Sequence, residues 1–144
     1  MKFSIEKIKN SIILIILSSA LEASAGKVDY GGVGVCIGIT HGLYMLNGQE
    51  ALDKSSDITK GILAKYGDKY QNLMKKIGQC YEYYESRGTY GSVSREYFEK
   101  CGVKLSKIDL EIAIGLVQGM NAVNKDPKGA ATTVNLICFA STGG

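Results

Sequence analysis

The feature that most constrains this chain is the stretch G-V-C-I-G-I-T-H-G-L-Y-M-L, Gly34 to Leu46, in which glycine recurs every fourth residue at Gly34, Gly38 and Gly42. In a helix, residues four apart lie on one face. Each glycine costs a helix about 1 kcal/mol relative to alanine, so three on one face need a compensating contact. A face without side chains supplies one, because a second helix can approach its backbone closely. Val35, Ile39, Leu43 and Leu46 on one flank, and Ile37 and Tyr44 on the other, are apolar and are expected to pack beside it. The stretch reads as a central buried helix anchored covalently through Cys36. A glycine-rich strand or loop is the competing reading.

Residues 1–25 read as a signal peptide rather than part of the fold. Lys2, Lys7 and Lys9 form a basic start, Ile12 to Leu17 an apolar centre, and Ala23-Ser24-Ala25 the small residues a signal peptidase needs before Gly26. The apolar run is about half the roughly 20 residues of a membrane span. Residues 26–144 are then one small helical domain, exported and periplasmic. Three lysines and two glutamates leave with the leader, so the formal charge of +3 becomes +2. That balance argues against a nucleic-acid footprint, and Lys75-Lys76 reads as a solvated helix face. No second apolar run spans a membrane, since Ile108 to Val123 is interrupted by Asp109, Glu111, Gln118 and Asn121.

Along the domain, Gly31-Gly32 places the start of the first helix before Val33, and Asn47-Gly48 ends it. One helical turn is expected at Glu50-Ala51-Leu52. Asp57 is expected to cap a second helix with Ile58, Ile62 and Tyr66 inward, stopped by Gly67. Asp68 is expected to cap a third, on which Tyr70, Leu73, Met74, Ile77, Cys80, Tyr81 and Tyr84 recur at spacings of three and four. Ser94 to Lys100 reads as a short helix with Tyr97 and Phe98 inward. Ser106-x-x-Asp109 resembles a capping box before a fifth helix, and Asp126-Pro127 breaks that helix. Gly129 to Phe139 fits a final helix or a strand, with helix favoured. Gly38-x-x-x-Gly42 with Asn47 echoes Gly115-x-x-x-Gly119 with Asn124 at an offset of 77. The echo makes a close crossing of the first and fifth helices a packing expectation. The fold class is an all-α, disulfide-stapled bundle of five to six helices around a central glycine-rich helix.

The four cysteines, Cys36, Cys80, Cys101 and Cys138, argue for two disulfides in an exported chain, with three pairings open. If the helices on either side of residue 90 form an antiparallel hairpin, Cys80 and Cys101 lie about equally far from its turn. That leaves Cys36 with Cys138.

No constellation reads as an active site, a metal site or a cofactor site, so the expectation is a non-enzyme without cofactor or metal. His41 is the single histidine and has no acid near it in sequence; a satisfied structural imidazole is expected. Oxidised cysteines are lost as nucleophiles. Glu82, Glu85, Glu96 and Glu99 could offer a hydrolytic carboxylate pair, but Glu82 and Glu85 sit at i and i+3 on the polar side of a helix, which favours a solvated face. There is no phosphate loop, H-E-x-x-H or EF-hand loop. Tyrosine is the informative polar residue: nine occur, with no tryptophan, and Tyr81, Tyr83, Tyr84 and Tyr90 fall together. Helical spacing puts Tyr81 and Tyr84 inward and Tyr83 outward. Exposed tyrosine serves interfaces because it buries a large area and keeps a hydroxyl; ordinary amphipathic packing is the competing reading. Tyr83, Glu82, Glu85, Arg87 and Tyr90 are the candidate partner-binding residues.

Cys36-x-Gly38 with Gly42 resembles the C-x-G-x-x-x-G start of the resistance-associated immunity proteins, exported proteins that protect bacteria against type VI secretion effectors. Cys101-Gly-Val, the helix from Ser106, Pro127 and Cys138 follow that family's later order, although Ile137 stands where a proline usually precedes the last cysteine. Tyr66 to Ser86, ending Cys-Tyr-Glu-Tyr-Tyr-Glu-Ser, is similar to the cysteine-and-tyrosine helix of the amidase immunity proteins. The resemblance implies an all-α periplasmic protein, often a homodimer, that binds and blocks a cognate peptidoglycan hydrolase and does no catalysis. An alternative of another class is a secreted structural or membrane-associating protein using its glycine faces for helix association. Tyr-Gly-Gly-Val-Gly-Val-Cys, residues 30–36, resembles the start of small bacteriocins.

Overall fold

The structure, a computed structural model, describes residues 27–88 and 92–143, and the segment read as a signal peptide lies outside them. Six helices follow one another among the described residues, with no strand: α1 (Tyr30–Asn47), α2 (Gln49–Asp53), α3 (Asp57–Ser86), α4 (Arg95–Lys100), α5 (Lys107–Lys125) and α6 (Pro127–Ser141). The all-α, disulfide-stapled class is as expected, and the segment 129–139 is helix rather than strand. Local chemistry sets the starts. Ser56, Ser94, Ser106 and Asp126 each accept a hydrogen bond from the backbone N–H three residues on, satisfying one of the orphan donors of a first turn. Pro127 occupies the first turn of α6, where its missing N–H is no loss.

Helix α1 starts before Val33, as expected, at Tyr30; the Asp29 carboxylate accepts from Gly32 N at 3.0 Å and carries the helix through Gly31 and Gly32. One expected boundary moves. The break expected at Gly67 is absent, and α3 runs unbroken for 30 residues, capped by Ser56 rather than Asp57. Its buried positions, Thr59, Ile62, Leu73, Ile77, Cys80 and Tyr84, keep one helical phase across Gly67, so packing on both sides holds the helix through the glycine. The inward row is also shifted at its start. Ile58 is exposed, while Thr59 is fully buried, its hydroxyl donating to Asn135 Oδ1 at 3.3 Å.

The centre of the molecule is the crossing of α1 and α5. A Cβ built on Gly34 would overlap the Ile112 carbonyl oxygen and lie 2.9 Å from Gly115 Cα; one on Gly38 would overlap the Leu116 carbonyl oxygen and lie 3.1 Å from Gly119 Cα. Conversely, Cβ atoms on Gly115 and Gly119 would lie 2.8 Å from Val35 N and Ile39 N. The two backbones therefore touch through both glycine faces, and the residue numbers rise together along the contact, so the helices run parallel. Gly34 meets Gly115 and Gly38 meets Gly119, an offset of 81 rather than the 77 of the sequence echo. Gly42 closes the seam against the Val123 side chain, 2.9 Å from a built Cβ.

Helix α6 packs antiparallel on α1. Asp29 N donates to Ser141 O at 3.0 Å at one end, and Cys36 and Cys138 are joined in a disulfide with Cα atoms 5.0 Å apart. Helix α3 lies across this layer. It meets α6 at Thr59–Asn135, α1 at Tyr70–His41 and α5 at Lys69–Asp109. Its C-terminal part is tied to the end of α4 through the Cys80–Cys101 disulfide, Cα atoms 5.3 Å apart. The flanking rows of α1 behave as expected up to Leu43. Tyr44 and Leu46, expected to pack, are 42% and 56% exposed, because they lie beyond Gly42, the last point of close contact with α5.

Candidate functional site

The candidate residues lie where α3 ends. Tyr84, buried on the inner side of that end, stacks on Tyr97 of α4 with ring centroids 4.4 Å apart and planes 19° from parallel. Its hydroxyl donates to the Tyr97 carbonyl oxygen at 2.7 Å. Phe98 meets Tyr97 edge-on at 5.3 Å, and Tyr83 meets Tyr84 edge-on at 5.0 Å. Four rings thus form a continuous ladder beside the Cys80–Cys101 bridge, in the offset and edge-to-face geometries that aromatic quadrupoles favour. Burial raises the pKa of both Tyr84 and Tyr97 above the usual phenol value, so both hydroxyls stay protonated at neutral pH.

Tyr83 is not the freely exposed ring that helical spacing suggests. It is half-buried, packed against the core on one side and covered on the other by Arg87, whose guanidinium carbon lies 3.7 Å from the ring centroid. Arg87 also donates to the Tyr83 carbonyl at 3.1 Å and to Ser86 Oγ at 3.3 Å. A cation on the last carbonyls of a helix is favourable twice, through the hydrogen bond and through the macrodipole. Glu82 and Glu85 are exposed on the same helix end. Tyr81, expected inward, is half-buried. Tyr90 lies outside the described residues. The structure therefore brings Glu82, Tyr83, Glu85 and Arg87 onto one helix end.

The remaining chemistry is sparse. The His41 imidazole shares a hydrogen bond through Nδ1 with the Tyr70 hydroxyl, and the rings meet edge-on at 5.6 Å. Burial holds the His41 pKa below its ordinary value and raises that of Tyr70. A neutral imidazole sharing a hydrogen bond with a tyrosine is a packing device joining α1 to α3. Glu96 is engaged by Lys100 at 2.9 Å, an exposed pair one turn apart. All four cysteines are in disulfides. Among the described residues, no group of three or more His, Cys, Asp or Glu side chains is placed to hold a metal ion, and no helix is long and apolar enough to cross a membrane.

The aromatic role of Tyr97 in this site was not legible beyond its inward position, because its partner Tyr84 is on another helix 13 residues earlier. The stacking of Arg87 on Tyr83 had a signal in the i,i+4 spacing of a ring and a cation at a helix end. Compared with protein-family models, characterised proteins and solved structures, the chain matches none.

Proposed function

We propose that the chain is an exported, non-catalytic inhibitor of the immunity type. It binds a cognate cell-wall-degrading, amidase-like effector in the periplasm and covers the effector's active site. The observation that carries this reading is the disulfide-tied end of α3, where Arg87 is stacked on Tyr83 beside a buried aromatic ladder and Glu82 and Glu85 are exposed on the same turns. Such a surface is preorganised: the ring under Arg87 and the bridge beneath it leave few rotamers to freeze on association. Tyrosine and arginine are the side chains that most often carry interface energy. Two disulfides favour an oxidising compartment, which supports export. Homodimerisation, implied by the resemblance, belongs to the same proposal.

The test is an affinity pull-down with tagged, oxidised Gly26–Gly144 against periplasmic and secreted extract of the native host, read by mass spectrometry. One stoichiometric peptidoglycan hydrolase is the expected result. The double reversal Glu82→Lys with Glu85→Lys, combined with Arg87→Glu, is then expected to weaken that complex by more than tenfold, the loss of roughly one hot spot. Unchanged affinity in that variant removes this surface from the proposal. Recovery of the bait alone, together with membrane lipid, favours the membrane-associating alternative.

A further inference from the structure

Below α4 lies a pocket of about 250 Å³ lined by Phe98, Val103, Leu105 and Leu110, with Arg95, Lys104 and Glu99 also among its lining residues. It exists because Gly102 adopts φ +82°, a conformation that L side chains rarely take. The chain turns back there, Val103 N donates to Phe98 O at 2.9 Å, and Val103 to Leu105 pass beneath the short helix. Phe98, Val103 and Leu110 are buried and Leu105 half-buried, while Arg95, Lys104 and Glu99 are exposed. The result is an apolar floor with a charged rim of two cations and one carboxylate. Neither Arg95 nor Lys104 takes part in any of the ion pairs among the described residues, which join Lys54 to Glu50, Lys69 to Asp109 and Lys100 to Glu96.

The size decides the class of ligand. Sites for drug-sized molecules begin near 300 Å³, so this pocket takes one amino-acid side chain rather than an extended molecule. The rim decides its polar groups. Arg95 offers planar donors matched to a carboxylate and Lys104 a second cation, while Glu99 offers an acceptor for an N–H. A single residue with an apolar side chain, a free α-carboxylate and an acylated nitrogen meets all three requirements. We propose that this pocket binds the C-terminal residue of a peptide chain ending in leucine or phenylalanine. The pocket shares the buried Phe98 with the aromatic ladder but none of the exposed residues at the end of α3, and it does not depend on the inhibitor reading.

The test is a ¹⁵N-correlation titration of the oxidised mature protein with N-acetyl-leucine, N-acetyl-leucinamide and octanoate. N-acetyl-leucine is expected to shift the amides of Phe98, Val103, Leu105 and Leu110 saturably. N-acetyl-leucinamide, which lacks the carboxylate, is expected to bind at least about tenfold more weakly, the size of one lost charge-assisted hydrogen bond. The variant Arg95→Gln with Lys104→Gln is expected to lose the same factor toward the acid, with its other resonances in place. Equal affinity for acid and amide, equal affinity for octanoate, or shifts confined to other residues would each overturn the proposal.

Discussion

His41 ties its charge state to the fold. Burial lowers its pKa in the native protein, and its Nδ1 shares a hydrogen bond with the Tyr70 hydroxyl from the opposing helix. The unfolded chain takes up a proton at the ordinary value of 6.5, whereas the native imidazole resists it until lower pH. Neutral His41 therefore contributes stability in full above the unfolded value, and that contribution is lost as pH falls from 6.5 through the depressed native pKa. Urea unfolding of the wild type is expected to show declining stability across that window, and His41→Gln a flatter profile. Parallel profiles would remove His41 as the cause. The role of His41 as a satisfied imidazole was legible from its place beside the glycine face. Its partner was not, because Tyr70 is 29 residues away on another element, and periodicity reports only that a side chain points inward. Tyr83 is a partial case: the i,i+4 spacing pairs it with Arg87, but helical spacing alone assigns the ring outward and does not show that the guanidinium folds back over it.

At the scale of elements, the phase of buried residues outranks the punctuation residues. Gly67 in α3 was expected to end a helix, but Tyr66 and Tyr70 continue the inward row, and a glycine stops a helix only where the chain turns to positive φ. Gly48, Gly88 and Gly102 do so, at +69°, +67° and +82°; Gly67 does not. The staples were legible through symmetry about the α3–α4 turn, which places Cys80 and Cys101 opposite one another. Their contributions should differ with the chain they span. The Cys36–Cys138 bridge joins residues 102 apart and Cys80–Cys101 residues 21 apart, which the chain-entropy account values at about 4–5 and about 3 kcal/mol. Urea unfolding of the two Cys→Ala double variants is expected to show the larger loss for Cys36/Cys138. The reverse order would mean that local packing at the aromatic ladder, rather than chain closure, sets the value of the second bridge.

At the scale of the molecule, one contact organises the rest: two parallel helices touching backbone to backbone, with α6 stapled to one of them and α3 laid across. That the glycine faces meet each other was legible, because spacing of four is a local property that survives in any fold. The register was not, since an offset of 81 over 77 depends on how the carbonyls of Ile112 and Leu116 sit against Gly34 and Gly38. The glycine faces of α1 and α5 are packed against each other inside the domain. The glycines fall into those that hold the crossing and those that do not. A Cβ on Gly38 meets the α5 backbone, whereas one on Gly78, exposed on α3, meets nothing within 4 Å. The most direct test is the unfolding free energy of Gly38→Ala beside Gly78→Ala. The crossing predicts a loss of about 1–3 kcal/mol in the first, from overpacking, and a gain of about 0.5–1 kcal/mol in the second, from helix propensity. Stabilisation by both substitutions would contradict the close approach of α1 and α5.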